Sequence, residues 1–316
     1  MTTTPLVSVV IVTWNCARLI DRCLDLLFAS SVDAIETIVV DNASGDSTCA
    51  KVRARSEPVV LIESPANLGF GRGCNLGAAR ARSPFLLFLN PDAFLEDPAV
   101  LGRLVAVLAA EQRIAAVAPR LIFQDRRHQV GDAGYRPSLR GLLAHQLLLS
   151  RFSSRARGFY VNNAMLLRRD EVEVDWLSGA CLLVRREAFE AAGGFAGDVF
   201  LYGEDVDLGV RLREAGHRLV YLPQLRVVHL QGGTQRADTE QAHVSTRWID
   251  SLFTQAGGDR DAARRLALRV VLCGGFVVRA IGYAGRGLLP RGRRHRAQAW
   301  AMVAYGRYAL FEAGSR

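Results

Sequence analysis

The sequence predicts an α/β protein built on a mostly parallel sheet with helices on both faces. Three observations lead there. First, short apolar and β-branched runs such as Val7–Thr13 and Phe85–Leu89 alternate with segments of helical spacing over the first third of the chain. Second, several of these runs stop at a polar side chain, the place where open α/β sheets bind their ligands. Third, 316 residues, half of them hydrophobic, suffice for one large core or two modest ones, with none of the bias of disordered or fibrous chains.

Val7–Thr13 (VSVVIVT) reads as the first strand, and Ala17–Ala29 carries apolar residues at helical spacing. Thr37–Asp41 is the second strand, Ser47–Arg55 a short helix and Val59–Glu63 a third strand. Gly71–Arg82 reads as a helix after a glycine-rich loop. Phe85–Leu89 is apolar throughout, as a strand buried on both faces should be. Asp97–Glu111 is a helix and Ala115–Phe123 a strand. Residues Gln124–Val174 are irregular and rich in Arg and Gly, with a Leu-rich helix near Leu139–Leu149. Regularity returns with a strand at Ala180–Val184 and a helix at Arg186–Ala192, stopped by two glycines. A helix at Asp205–Ala215 ends at Gly216. Strands follow at Arg218–Leu222 and Arg226–Leu230, and Arg260–Arg316 is helical in pattern. The boundaries expected are a domain over 1–254, divided near residue 123, and a C-terminal region over 255–316.

The six cysteines are scattered, with no paired or zinc-type spacing, which suits small core residues in a reducing compartment. No secretory signal opens the chain, so a cytoplasmic location is expected. The net charge of +9 comes entirely from residues 255–316, where twelve arginines meet three acids. A basic tail of this kind points to an anionic partner. Nucleic acid is not expected, because no aromatic-basic interleaving or binding module accompanies the charge.

Several motifs carry chemistry. In FLNPDA, Asn90 and Asp92 follow a buried strand and put an amide and a carboxylate at its carboxyl end, although Asn-Pro-Asp is also good turn chemistry. Asp41, in IVVDNASGDST, suits a base or ribose hydroxyl, or equally an Asx turn. Asp46 or Ser47 is the expected cap of the next helix. NLGFGRGCN spans Asn67 to Asn75 and includes Gly69. It offers positive φ, a helix N-terminus for a diphosphate, and a charge-assisted contact from Arg72. It is neither a dinucleotide nor a Walker loop. GEDVDL gathers Glu204, Asp205 and Asp207 at a helix start, more than capping requires. Crowded carboxylates raise one another's pKa, which makes a credible general base. His229 ends an apolar strand before Gly232-Gly233.

In order and spacing, these motifs, together with VSVVIVTWN, WLSGACLLVRREAF and FLYGEDVDLGVRLREAGHRLVYLP, resemble the inverting nucleotide-sugar glycosyltransferases of family 2. The similarity is greatest to the bacterial rhamnosyltransferase-like branch and covers Val7–Thr234 apart from the irregular middle. The resemblance implies a GT-A fold, a Rossmann-like nucleotide-binding half merged with an acceptor-binding half, followed here by a basic helical tail. It implies that Thr13, Asn15 and Asp41 line the base and ribose pocket, that Asn67 and the glycine segment approach the nucleotide, and that Asn90 lies near the ribose. Asp92 would be the last acid of a D-x-D element and His229 a second ligand of a divalent metal, Mg²⁺ or Mn²⁺. Asp205 would deprotonate the acceptor hydroxyl beside Glu204, and Trp176 would help form the acceptor side.

Two departures stand out. The D-x-D element is Asn-Pro-Asp, so one metal-side carboxylate is missing. Arg247-Trp248 is preceded by Val244 where processive synthases carry Gln, which favours single addition. The reaction expected is one inverting displacement, most plausibly of L-rhamnose from a dTDP donor onto a glycan or lipid-linked acceptor in cell-envelope polysaccharide synthesis. A UDP-hexose donor is the alternative within the class. A non-catalytic sugar-nucleotide-binding scaffold is the alternative outside it, and a nucleotidyltransferase lacks its basic signature in Val7–Asn15. The tail, with arginines near headgroups, would hold the enzyme on the inner membrane face; the competing reading is a helical pair packed on the core. The sequence leaves homo-oligomerisation open.

Overall fold

The protein is described by a computed structural model covering residues 5–146, 159–161, 170–197, 203–230, 246–288 and 293–314. The end of the Leu-rich segment at Leu147–Leu149, the aromatic step Phe200–Tyr202, the residues from Gln231 to Thr234 and Val244 lie outside the described residues, as do the side chains of Arg247 and Trp248. The chain divides into two compact units, Met1–Gly134 with Arg168–Thr239, and Tyr135–Leu167 with Glu240–Arg316.

The first unit is built on a nine-stranded sheet. Strands β1 (Val7–Thr13), β2 (Ile35–Asp41), β3 (Val59–Glu63) and β4 (Phe85–Leu89) lie in the order β3-β2-β1-β4, all parallel. Chain order reverses between β1 and β4, so a crevice for ligand opens past their carboxyl ends. The sheet continues through β10 (Cys181–Arg185), β6 (Ile114–Ile122) and β11 (Arg218–His229) to β5 (Ala93–Phe94). Strand β10 is antiparallel to both β4 and β6, whereas β11 is parallel to β6. The carboxyl ends of β1, β2, β4, β6 and β11 therefore share one edge with the start of β10. Strand β8 (Val172–Val174) adds to β11, and β7 (Ala133–Gly134) pairs separately with β9 (Trp176–Leu177).

Helices cover both faces. Val7, Val9 and Ile11 of β1 point into a core shared with α1 (Ile20–Phe28) and α4 (Ala99–Ala110). On the other face α3 (Phe70–Ala78) lies directly on β1: a Cβ at Gly77 would sit 2.4 Å from Val10 Cγ1, and one at Gly73 2.8 Å from Val12 Cγ1. The unit is completed by α2 (Thr48–Arg53), α6 (Arg186–Ala191) and α7 (Glu204–Glu214).

Strand and helix positions match the reading from periodicity to within a few residues, with two informative differences. The expected pair of strands after residue 217 is one strand, β11, whose register against β6 slips between Leu222 and Arg226. Pro223 falls in the slip, where its missing donor costs no ladder bond. Strands of two or three residues (β5, β7, β8 and β9) carry no periodicity to read.

The second unit contains α5 (Leu139–Gln146), α8 (Arg247–Gln255), α9 (Ala262–Gly287) and α10 (Arg293–Phe311). Helices α9 and α10 form an antiparallel hairpin. The rings of Phe276 and Tyr305 lie 5.6 Å apart, Arg296 donates to the Gly287 carbonyl at 3.0 Å, and Arg269 to the Ala313 carbonyl at 2.8 Å.

Candidate functional site

At the edge formed by β1 and β2, Thr13 and Asp41 are register partners, both buried, and the Thr13 hydroxyl donates to Asp41 Oδ1 at 2.8 Å. Ser44 adds its backbone N–H to Oδ2 at 2.8 Å and its hydroxyl to Oδ1 at 2.6 Å. The carboxylate thus organises the turn at the end of β2, as the Asx-turn reading expected. Asn15 ties the two loops together: its N–H donates to Ser44 Oγ and its Oδ1 accepts from the Gly45 N–H, both at 2.8 Å. Asn15 and Ala43 have φ of +52° and +58°. Left-handed backbone costs a non-glycine residue about 1–3 kcal/mol and gathers at functional sites. Asp46, as expected, caps α2 by accepting from the Thr48 N–H.

The glycine segment is used differently from the sequence expectation. Only Gly69 has positive φ (+83°), and α3 starts at Phe70, so Gly71 and Gly73 lie inside the helix. Gly71 lets the helix approach Phe195, Ala196 and Glu204. The expected phosphate cradle is in large part a packing device. Asn67 is exposed, and its Oδ1 caps the Gly69 N–H at 3.0 Å. Asn75 spends both ends of its amide on the Phe195 backbone, at 2.8 and 2.9 Å, and Arg72 donates to the Gly197 carbonyl. Both side chains brace the 194–197 turn, because α3 faces that turn as well as the crevice. Asn42, which the sequence reading passed over, is buried; it donates to the Gly69 carbonyl at 3.1 Å, and its Oδ1 has no partner among the described residues.

Past β4, the Asn-Pro-Asp turn folds Asp92 beneath β11. Ala93 pairs with His229, and the Leu230 N–H donates to the Asp92 carbonyl at 3.0 Å. The buried Asp92 carboxylate lies 3.2 Å from His229 Nε2, and Asn90 Nδ2 lies 3.4 Å from the same nitrogen. His229 Nδ1 is 2.9 Å from Gln129 Oε1, which can only accept, so Nδ1 carries a hydrogen while Nε2 faces Asp92. One imidazole nitrogen and one carboxylate, with a second contact fixing the tautomer, fit a divalent cation that draws its other ligands from water and phosphate oxygens. Among the described residues no group of three or more His, Cys, Asp or Glu side chains offers a fuller cage. Gln129 was invisible in the sequence, lying 100 residues from His229 in the irregular segment. Gln129→Leu is expected to weaken Mn²⁺ binding by about 10–100-fold, read by calorimetry, while the melting temperature changes little.

On the opposite wall, α7 starts at Gly203 (φ +111°), and its three acids diverge. Asp207 pairs with Arg211 at 2.6 Å, and buried Glu204 lies beside Gly71 and the Cys74 thiol. Asp205 accepts from the Gly179 N–H at 3.3 Å through Oδ2 and from the Val206 N–H at 2.8 Å through Oδ1. Burial holds its pKa above the ordinary carboxylate range, against these hydrogen bonds. The direction matches the sequence expectation, and its largest cause is desolvation by burial. Trp176 is buried, and α7 presses on it through Gly209, where a Cβ would come 2.7 Å from Trp176 Cα. The same strip joins the two walls: Gly179 meets Asp205, and the next carbonyl, of Ala180, accepts from the Asn90 N–H at 2.9 Å.

Residues 5–251 match the family model described as glycosyltransferase like family 2. An N-acetylglucosaminyl-diphospho-decaprenol L-rhamnosyltransferase of Mycobacterium tuberculosis is 33% identical, over 78% of this chain and 84% of its own length. The rhamnosyltransferase WbbL of Escherichia coli is 27% identical, over 62% and 73%. Among solved structures, the mannosyltransferase PcManGT of Pyrobaculum calidifontis, in complex with GDP-Man and Mn²⁺, aligns with 98% of this chain and 88% of its own. Its TM-score is 0.59 at 20% identity, a likeness of fold.

Proposed function

The chain belongs to glycosyltransferase-like family 2 and is a glycosyltransferase of GT-A fold, and from that premise we propose that it is a metal-dependent inverting enzyme. It transfers one L-rhamnose from dTDP-rhamnose to a glycan carried on a lipid diphosphate, at the inner face of the cell membrane. The observation that carries the chemistry is the strip from Asn90 through Ala180 and Gly179 to Asp205, which puts a base of raised pKa and the Asp92–His229 pair along one sheet edge. The rhamnosyl donor and the lipid-linked acceptor are supported by likeness to the mycobacterial relative.

In this reading Thr13, Asp41 and Asn15 hold the base and ribose. Asp92 and His229 hold the divalent ion, which when bound supplies Lewis-acid stabilisation of the departing diphosphate. Asp205 takes the acceptor hydroxyl's proton at Oδ2, the oxygen engaged only by the long bond from Gly179 among the described residues. Trp176 stiffens the acceptor wall. A single displacement inverts the anomeric carbon and needs no protein nucleophile.

The test is a donor panel with a short-chain polyprenyl-diphosphate N-acetylglucosamine acceptor. Product with inverted configuration is expected from dTDP-rhamnose alone, abolished by EDTA and restored by Mn²⁺ or Mg²⁺. Equal turnover with a UDP-hexose would overturn the donor assignment, and activity untouched by EDTA would overturn the metal.

A further inference from the structure

The basic tail was expected to lie as an interfacial helix with its arginines near headgroups, but the structure turns most of its described arginines inward. Arg264 donates twice to the Ala256 carbonyl, at 2.9 and 2.7 Å, and Arg269 to that of Ala313. Arg279 donates to Gln146 Oε1 and to the Gly275 carbonyl, and Arg296 to the Gly287 carbonyl. These cations stitch the helical unit together. What α9 shows to solvent is apolar. Val270, Val277 and Ile281, with Leu288 just past the helix end, recur at spacings of seven, four and seven, which keeps them on one side of the helix. On α10, Trp300 and Phe311 recur at eleven. All six are between 49% and 89% exposed. The α9 stripe runs about 27 Å at 1.5 Å per residue.

We propose that this face of the α9–α10 hairpin docks into the boundary between headgroups and acyl chains of a lipid bilayer, held chiefly by burial of the apolar stripe and only secondarily by charge. The proposal rests on the reading of a lipid-linked acceptor and gives its membrane contact an address. Two further features select lipid over a protein partner. Exposed Arg307 lies on the side of α10 that carries Trp300 and Phe311, within a region of twelve arginines against three acids, a charge complementary to an anionic leaflet. Trp300 and Phe311 are the residues that interfacial helices place at headgroup level. Helix α9 is long and apolar enough to cross a bilayer by length and composition. Spanning would carry Arg269 and Arg279 into hydrocarbon and strip the bonds that hold the hairpin, so the helix lies in the interface.

The experiment is co-sedimentation of the full chain with vesicles of phosphatidylcholine alone, and of phosphatidylcholine mixed with phosphatidylglycerol, at low salt and at about 1 M NaCl. Binding to both is expected, with most of it surviving high salt. Val277→Asp with Ile281→Asp should weaken binding to both vesicles by about tenfold or more. Arg307→Gln should cost about threefold, and only on anionic vesicles. Loss of wild-type binding to phosphatidylcholine, or its disappearance in salt, would overturn the proposal in favour of a charge anchor. A chain that stays in the membrane through alkaline carbonate would overturn it in favour of a span. A stable dimer that the double Asp variant dissociates, without vesicle binding, would assign the face to a second copy. Turnover is followed in parallel on a water-soluble short-chain acceptor. The double Asp variant should keep wild-type turnover there, which also shows that it is folded. Absence of turnover in the wild type would count against the proposed reaction and leave the vesicle result to stand by itself.

Discussion

Asp205→Asn is expected to lower turnover by about 10²–10⁴-fold while leaving donor binding and folding intact. The asparagine keeps its one oxygen for the Val206 N–H, the shorter bond, and gives up only the long 3.3 Å bond from the Gly179 N–H, so the start of α7 stays tied at Val206. What disappears is the proton acceptor. Because burial holds Asp205 above the usual carboxylate value, the acid limb of the wild-type rate profile should lie above about pH 3.9, the ordinary value for an aspartate. The sign for stability follows from the same shift. Between the unfolded and the raised folded pKa, the folded state holds a proton that the unfolded state has lost. Stability from this group is therefore greatest at low pH and declines as pH rises through the folded value. Above its raised folded pKa the ionised, desolvated carboxylate is a net cost, so there the asparagine variant should melt no lower than wild type. The difference should vanish below about pH 3.9. Retention of more than about a tenth of the activity would remove Asp205 from the general-base role. Loss of donor binding along with turnover would point to a structural role instead.

The second large effect is expected at Gly209, within α7. A Cβ there would sit 2.5 Å from the Asp175 carbonyl oxygen and 2.7 Å from Trp176 Cα. These are backbone atoms, which cannot rotate out of the way as a side chain can. In Gly209→Ala the helix must lift off β9, with an overpacking cost of at least about 1–3 kcal/mol. Each kcal/mol should lower the melting temperature by about 2–4 °C. The lift carries Asp205, one turn away, out of reach of the acceptor hydroxyl, and a misplacement of about 1 Å can cost roughly 100-fold in rate. Gly274→Ala is the control: nothing lies within 4 Å of its Cβ position, so a neutral or slightly stabilising change is expected. An equal loss in both variants would show that the close contact at Gly209 is not what decides the outcome.

The parts of this molecule that were legible in its sequence are those where one local signal decides the outcome. Strand β4 is apolar at every position because both its faces are covered, and it ends where Asn90 and Asp92 must begin. Asp41 and Thr13 end adjacent parallel strands, so sharing an edge follows from topology. The misreadings come from residues whose partners are remote. Gly71, Gly73 and Asn75 look like a phosphate loop, but their environment is set by Val12 and Phe195, far away in the chain. Gln129 carries no local signal at all. The direction of β10 is equally silent, since a five-residue apolar strand reads the same parallel or antiparallel. The tail shows composition and disposition parting company: the arginines are countable, but which way they turn depends on the carbonyls that α8, α10 and α5 present to them.

The insertion of β10 between β4 and β6 also dictates a schedule of assembly. Both neighbours are made first, and β4 waits with one edge unpaired until residue 185 has been added. Asp92 and His229 are separated by 137 residues, which at about 5–20 residues per second is roughly 7–27 s of translation. Until β10 is added the nascent chain exposes the apolar edge of Phe85–Leu89, a template for pairing with the wrong strand. A ribosome stalled, or a gene truncated, near residue 123 should therefore yield an aggregation-prone product and no free-standing nucleotide-binding half. Chaperone capture should be strongest before β10 emerges and should fall once β10 pairs with β4.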